Sequence, residues 1–466
     1  MSMGRHGGLR MAVRFVLGRS GTGKSRYCLG RIVRALRSGG DEPLVLLVPE
    51  QATYQAERAI LTSGGIRAYS RLHVLSFNRL AFFLLKGRPA RMELSAAARA
   101  MVVARLLRGL TDRLEVFRDV SRPGLAAHLA AIIEELQHET HEAATLRDVA
   151  ETLVKERAAP TTCGKFRDLA RLLEAYDAYM EGSRPQWADP AAELTAAAAH
   201  VKHAPFLQGA RLWVDGFSGF TGQELATLAE LLSVSASAEI ALCLDPDQID
   251  LDEPTEPTGE TARLFAAGER TYARLLEIVR KRRLPLAASL VLHRARRFRE
   301  APGLARLEAQ IPHDRMGGPL RIDGAVELVK AHDARAEVRF VAERIIAMVR
   351  EGRCRWRDIA VIVSDVEAYR HYLRAAFGNA GIPYFIDRPM PLAEHVLAQG
   401  AAMCLRLATG GWSTPEVLAY LKTPLSVLSA EQADAVEQYA LAFGVQGEEW
   451  TQEAPWRWAQ AEAAAF

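Results

Sequence analysis

The sequence predicts an α/β fold, a parallel phosphate-binding sheet interrupted by helical segments. Three observations predict it. Short apolar, β-prone runs alternate with stretches of helical spacing. Those runs are continuously apolar rather than alternating, as strands covered on both faces are. The first of them, Val13-Arg14-Phe15-Val16-Leu17, leads straight into Gly18-Arg19-Ser20-Gly21-Thr22-Gly23-Lys24-Ser25. That octapeptide has the GxxxxGK[ST] spacing of a phosphate loop, and Arg26 to Leu36 behind it has helical spacing.

The elements follow in order. Pro43 to Pro49 is an apolar run that completes a βαβ unit and ends in the polar Glu50-Gln51-Ala52-Thr53-Tyr54. Ligands of open α/β sheets bind outside that edge. Leu72 to Ser76 reads as a third strand, followed by Phe77-Asn78-Arg79-Leu80-Ala81-Phe82-Phe83. From about Glu93 to Lys202 the chain turns Ala- and Leu-rich, with helices expected at 95–107, 124–137, 166–180 and 190–201. Two readings are open there: a helical domain inserted into the sheet domain, or helices packed on the same core. Strand signals return at Arg211 to Phe217 and Ala238 to Asp245, with a helix at 222–234 between them and another at about 262–281. A second α/β unit is expected from strands at 326–330, 358–363 and 382–387 and helices at 336–350 and 366–380. The remainder is helical, and Ala463-Ala464-Ala465-Phe466 carries no terminating signal, which suggests a longer polypeptide.

Length and composition bound the function. A chain of 466 residues suggests about three domains. No run of about 18 apolar residues is present, and the N-terminus lacks an apolar signal core. Residues 1–11 are Gly-rich and basic and read as a disordered arm. Cys28, Cys163, Cys243, Cys354 and Cys404 are odd in number and form no CxxC, which argues against a disulfide framework and for a cytoplasmic chain. The net charge of +3 does not announce a nucleic-acid binder. The cations are unevenly spread, however. Arg280-Lys281-Arg282-Arg283 and His293, Arg294, Arg296, Arg297 and Arg299 form a candidate phosphate-backbone surface, or else a solvated helix face. Asp245 to Glu260 is an acidic, Pro-rich loop.

The chemistry rests on the phosphate loop. Its glycines allow backbone N–H groups to face phosphate oxygens, at a helix N-terminus that favours anions. Gly18, Arg19, Ser20, Gly21, Thr22, Gly23, Lys24 and Ser25 are the candidate nucleotide-binding residues, with Lys24 on the β/γ-phosphates and the Ser25 hydroxyl on Mg²⁺. A hydrolysing site also needs an Asp that holds Mg²⁺ and a Glu beside it that polarises water. Asp215 supplies the first, unless it serves as a turn residue. The next position is Gly216, which cannot act as a base. These residues imply a site that binds Mg-ATP and hydrolyses it poorly.

GRSGTGKS, LVPEQATYQAE, VLSFNRLA, LWVDGFSGFTGQE and DIAVIVSD…IPYFID together resemble the AddB family, the RecB-like subunits of bacterial AddAB helicase–nucleases. The likeness runs from about Ala12 to the end. It implies a P-loop, superfamily 1 helicase-like body of RecA-like sheet domains with helical insertions. In family terms these are domain 1A at 12–92 and 203–320, insertion 1B at 93–202, the first part of domain 2A at 321–400, and the start of insertion 2B at 401–466. The resemblance also implies a degenerate motor that recognises single-stranded DNA at the Chi hotspot while an AddA-type partner unwinds double-stranded ends. Carried onto this chain, the implied strand contacts are Gln51, Thr53, Phe77, Arg79, Phe82 and Phe217, with Phe220 as a further candidate. Aromatic rings suit base stacking, and Arg, Gln and Thr suit edges or phosphates. An arginine after the second-sheet strand, Arg370, is a candidate γ-phosphate contact or an exposed helix residue. The family's C-terminal nuclease, with its iron–sulfur cluster on cysteines, is expected beyond this chain, since the cysteine spacing here does not match it. Two other classes stay open: an active translocating ATPase, which Gly216 argues against, and a nucleotide or small-molecule kinase, which the length and second α/β unit argue against.

Overall fold

The computed structural model describes residues 12–63, 65–86, 92–119, 122, 124–183, 187–255, 264–311, 326–387 and 392–453. The expected arm at 1–11, the end of the acidic loop, the start of the helix expected at 262 and the C-terminal Ala-rich residues lie outside them. The chain divides into two compact units, Met1–Glu327 and Leu328–Phe466.

The first unit is built on a parallel sheet. Strand β1 is Val13–Gly18 and helix α1 is Lys24–Arg37. Then come β2 (Leu44–Leu47), α2 (Thr53–Ser63), β3 (Leu72–Leu75) and α3 (Phe77–Leu85). Two-residue β4 (Met92–Glu93) opens a helical stretch of α4 (Ala96–Leu110), α5 (Leu125–His138), α6 (Ala143–Lys155) and α7 (Pro160–Ser183). It closes with β5 (Trp187–Ala188), which pairs with β4, and α8 (Pro190–Ala198). The sheet resumes with β6 (Arg211–Val214), α9 (Gly222–Val234), β7 (Ser237–Cys243), α10 (Ala266–Lys281), β8 (Leu290–Val291) and α11 (Pro302–Gln310).

The strand order is β3-β2-β6-β7-β1-β8, with every neighbouring pair parallel. Both faces are covered. Val13, Phe15, Leu17, Val45, Leu47, Leu212, Val214, Ile240 and Leu242 face one core, which includes residues of α3, α9 and α10. Val16, Leu44, Leu46, Trp213 and Ala241 face the other, with Cys28 and Ile32 of α1. The strands therefore read as unbroken apolar runs, as two-faced burial requires. The helical stretch has a core of its own, centred on Val103, Leu107, Ile133, Leu172, Leu173 and Tyr176. Asp168 there has no exposed surface and accepts from the backbone N–H groups of Glu115, Val116 and Phe117 at 2.9, 2.7 and 3.1 Å.

In the second unit, α12 (Ala334–Arg350) and α13 (Val366–Asn379) pack around Val338, Ala342, Ile345, Leu373, Phe377 and Ile382. Helices α14 (Val396–Gly410), α15 (Thr414–Leu421) and α16 (Ala430–Phe443) follow. The strands expected at 326–330, 358–363 and 382–387 carry no ladder among the described residues. Ile382 is buried and Ile359 and Ile386 partly so, whereas Leu328, Ile362 and Phe385 are 99, 93 and 86% exposed. An apolar run becomes a strand only when a neighbour satisfies its backbone, and none does here.

Candidate nucleotide site and the strand edge beside it

The Gly-rich loop joins a central strand to a helix because its glycines take conformations that other residues avoid. Gly23, the residue before α1, has φ 100°, and Gly21 has φ 78°. The loop closes on itself through Arg19. The Arg19 carbonyl accepts from the Thr22 hydroxyl at 2.9 Å and from Lys24 Nζ at 2.9 Å. Lys24 Nζ also donates to the Gly18 carbonyl at 2.7 Å. Burial pushes the Lys24 ammonium below the usual lysine range, while Cys243 and Asp215 pull it back up.

Asp215 comes from a different part of the chain. It follows β6, and its N–H bonds the Leu47 carbonyl at 3.0 Å, so it stands at the same sheet edge as the loop. Burial raises its carboxyl above the usual carboxylate range, and a hydrogen bond from Ser25 and the charge of Lys24 oppose that rise. Lys24, Ser25 and Asp215 thus converge across about 190 residues of sequence. A hydroxyl and a carboxylate beside a lysine are the hard oxygen ligands and the phosphate cation that Mg-nucleotide binding needs. No group of three or more His, Cys, Asp or Glu poised for a metal occurs among the described residues. The metal would therefore rest on Ser25, Asp215, phosphate oxygens and water. Gly216 has φ 87°, and a Cβ on it would lie 3.3 Å from Pro49 Cδ. The position beside Asp215 is closed to a larger residue by both conformation and space.

The other candidate residues stand along the same edge, past β2, β3 and β6. Gln51 is exposed; Arg79 is exposed and pairs with Glu57 at 3.4 Å. Phe82 is 69% exposed. Phe217 is partly buried, with its ring 4.8 Å from Phe220 and 5.6 Å from Phe77. Two expected contacts fall elsewhere. Phe77 is 4% exposed and belongs to the core, because α3 turns that position inward. Thr53 is 5% exposed, and its hydroxyl donates to the Glu50 carbonyl at 3.0 Å at the start of α2. Tyr54 (68% exposed) and Phe83 (43%) present further aromatic surface on α2 and α3, which the expectations from sequence left out. Nothing in the linear pattern distinguishes them from core aromatics.

The basic cluster divides. Arg282 pairs with Glu230 at 2.7 Å, and Arg280 bonds the Asp252 carbonyl, so that half is tied into the fold. The half after β8 lies over the Gly-rich loop, where the Arg297 N–H donates to the Gly21 carbonyl at 3.0 Å. Arg370 follows the second unit's 359–363 segment on α13, near Glu367 at 3.9 Å.

Fold and site together define an α/β chain with a phosphate-loop sequence on a central parallel strand, an acid from another strand beside it, and a helical stretch set between two groups of sheet strands. The family follows from comparison. The profile described as "ADDB, N-terminal" matches residues 15–308, and the chain belongs to that family. It is similar to proteins whose names make them the second of the subunits of an ATP-dependent helicase/deoxyribonuclease. That of Heliobacterium modesticaldum is 36% identical over 96% of this chain and 36% of its own length. That of Desulforudis audaxviator is 36% identical over 97% and 38%, and that of Symbiobacterium thermophilum 35% over 96% and 38%. The chain therefore spans a little over a third of the length of these relatives. No helix among the described residues is long and apolar enough to cross a membrane.

Proposed function

We propose that this chain is the nucleotide-binding, helicase-like part of one subunit of an ATP-dependent helicase–deoxyribonuclease that processes double-strand DNA breaks for recombination. The convergence of Lys24, Ser25 and Asp215 carries the nucleotide half of that reading. Mg-ATP would lie with its phosphates on Gly18 to Ser25 and its metal on Ser25 and Asp215. In this reading residues 12–92 and 203–320 form RecA-like domain 1A, 93–202 insertion 1B, 321–400 the first part of 2A and 401–466 the start of 2B. Single-stranded DNA, including a Chi-type hotspot, would run along the edge that bears Gln51, Arg79, Phe82 and Phe217. Phe77 and Thr53 would support that edge from behind. An AddA-type motor protein in the same cytoplasmic complex would do the unwinding, and nuclease and iron–sulfur chemistry would belong to the rest of the longer relatives.

Gly216 supports a site that holds ATP more than it consumes it, because no carboxylate adjoins Asp215 to polarise water. The test is paired on one sample: Mg-ATP affinity by calorimetry, and ATP turnover with and without single-stranded DNA. Tight binding without DNA-stimulated turnover is expected. Stimulated turnover of about one per second or faster, an ordinary enzyme rate, would make the chain a motor. Phosphate transfer to a nucleoside would make it a kinase.

A further inference from the structure

The segment after β8 is the half of the basic cluster that has no task in the function proposed for this chain. Strand β8 lies at the sheet edge beside β1, with Val16 opposite Leu290 and Leu17 opposite Val291. The Leu292 N–H extends that ladder to the Leu17 carbonyl at 2.8 Å. The chain therefore leaves the sheet beside the start of the Gly-rich loop and turns over it. A short helical turn at Arg296–Phe298 makes the contact. Besides the Arg297–Gly21 backbone bond, a Cβ on Gly21 would lie 3.0 Å from Arg297 Cβ and 3.2 Å from the Phe298 ring. A Cβ on Gly23 would lie 3.9 Å from Arg296 Cδ.

Helix α11 fastens this turn. Its Glu308 accepts from Arg19 Nε at 3.2 Å, and Arg19 Nη1 also reaches Asp245 at 3.5 Å. The loop's own arginine is thus occupied by two carboxylates. Arg296 and Arg297 are exposed, and among the described residues neither has an acidic partner. Arg297 stands near enough to Lys24 for its charge to act on that ammonium. Two like charges held together at a glycine loop, with no acid between them, are complementary to a polyphosphate.

We propose that the Arg296–Phe298 turn is the outer wall of the nucleotide's phosphate pocket, with Arg297 a direct phosphate ligand and the Glu308–Arg19 bridge the latch that holds the wall in place. The inference rests on the nucleotide reading and deepens it, moving this half of the basic cluster from a DNA surface to the nucleotide. The experiment compares the 466-residue chain with Arg297→Ala, Arg297→Lys and Glu308→Gln, reading Mg-ATP and Mg-ADP affinity by calorimetry and oligo-dT affinity by fluorescence anisotropy. Arg297→Ala is expected to weaken Mg-ATP at least about tenfold, or about 1.4 kcal/mol. Arg297→Lys should recover part of that, since the charge remains, and guards against a folding artefact. Glu308→Gln should weaken Mg-ATP by a smaller factor, and oligo-dT affinity should not change in any variant. Unchanged Mg-ATP affinity in Arg297→Ala overturns the proposal while leaving the nucleotide site standing. Loss of oligo-dT affinity with nucleotide binding intact returns the cluster to DNA. A parent chain that binds neither nucleotide removes the site itself, and the proposal with it.

Discussion

At the residue scale, Asp215 carries opposing demands. Its carboxyl is buried, which favours the protonated form, yet metal binding needs the charged form. Its folded pKa lies above the ordinary value of about 3.9. Its contribution to stability therefore grows as pH falls through the raised value, and at neutral pH the buried charge is a cost. Metal affinity has the opposite sign and is lost as pH falls through the same window, above the range of an ordinary aspartate. Lys24, with a lowered pKa, should add an alkaline limb, nucleotide affinity falling before an ordinary lysine would discharge. A calorimetric pH profile of Mg-ATP binding checks both limbs. Asp215→Asn should bind more weakly near neutrality and lose the acidic limb; an unaltered profile would remove Asp215 from the metal site. Gly216 makes a second residue-scale prediction. Gly216→Glu, which restores the missing acid on paper, should cost at least about 1–2 kcal/mol for the left-handed backbone alone. Contact with Pro49 would misplace the side chain. Thermal melting should show the loss, and turnover should not rise.

At the element scale, the phosphate-loop helix is held to the sheet by one buried carboxylate. Glu239 on β7 is 7% exposed and accepts from Trp213 Nε1 at 2.7 Å, Tyr27 at 2.9 Å and Arg31 Nε at 3.4 Å. Tyr27 and Arg31 lie one helical turn apart on α1, so Glu239 fixes that helix against rotation. Removing one member of a buried charge network strands its partners. Glu239→Ala should cost about 3 kcal/mol in denaturant unfolding. It should also weaken Mg-ATP, because Lys24 and Ser25 open the same helix. A variant as stable as the parent would show that the apolar contacts of Cys28 and Ile32 alone seat α1. The same scale explains the second unit. Its three apolar runs keep one side on α12 and α13 and leave Leu328, Ile362 and Phe385 exposed. Their composition is that of strands, but a strand is a property of a pair of segments, not of one.

At the scale of the whole molecule, one strand edge carries two sets of residues, the phosphate loop on β1 and the Gln51–Phe82 surface beyond β2 and β3. In the proposed complex the first set binds nucleotide without driving movement. Lys24→Ala, introduced into the assembled helicase–nuclease, should abolish nucleotide binding by this part and leave DNA unwinding largely intact in a strand-displacement assay. Loss of unwinding in that variant would contradict the degenerate-motor reading.

Much of this was legible in the linear chain, and the parts that were not share a cause. The Gly-rich loop, the five longer strands of the first sheet and the Asp215–Gly216 pair are local signals: residue type and spacing within a few positions decide them. The two-residue strands β4, β5 and β8 are too short to leave such a signal, and only their partners define them. Which aromatics show a face to solvent was equally out of reach. Phe77, Phe82 and Phe83 occupy one helix and differ only in the direction each is turned, inward for the first and outward for the others. The α/β class, the phosphate loop and the lack of an acid beside Asp215 are written in consecutive residues, and reading those residues is enough to find them. Folding had to settle the rest: that Ser25 meets Asp215, that Arg282 is tied down on Glu230, and that Arg297 lies on Gly21. Those contacts join residues up to about 280 positions apart, and sheet order and helix packing, not local propensity, bring them together.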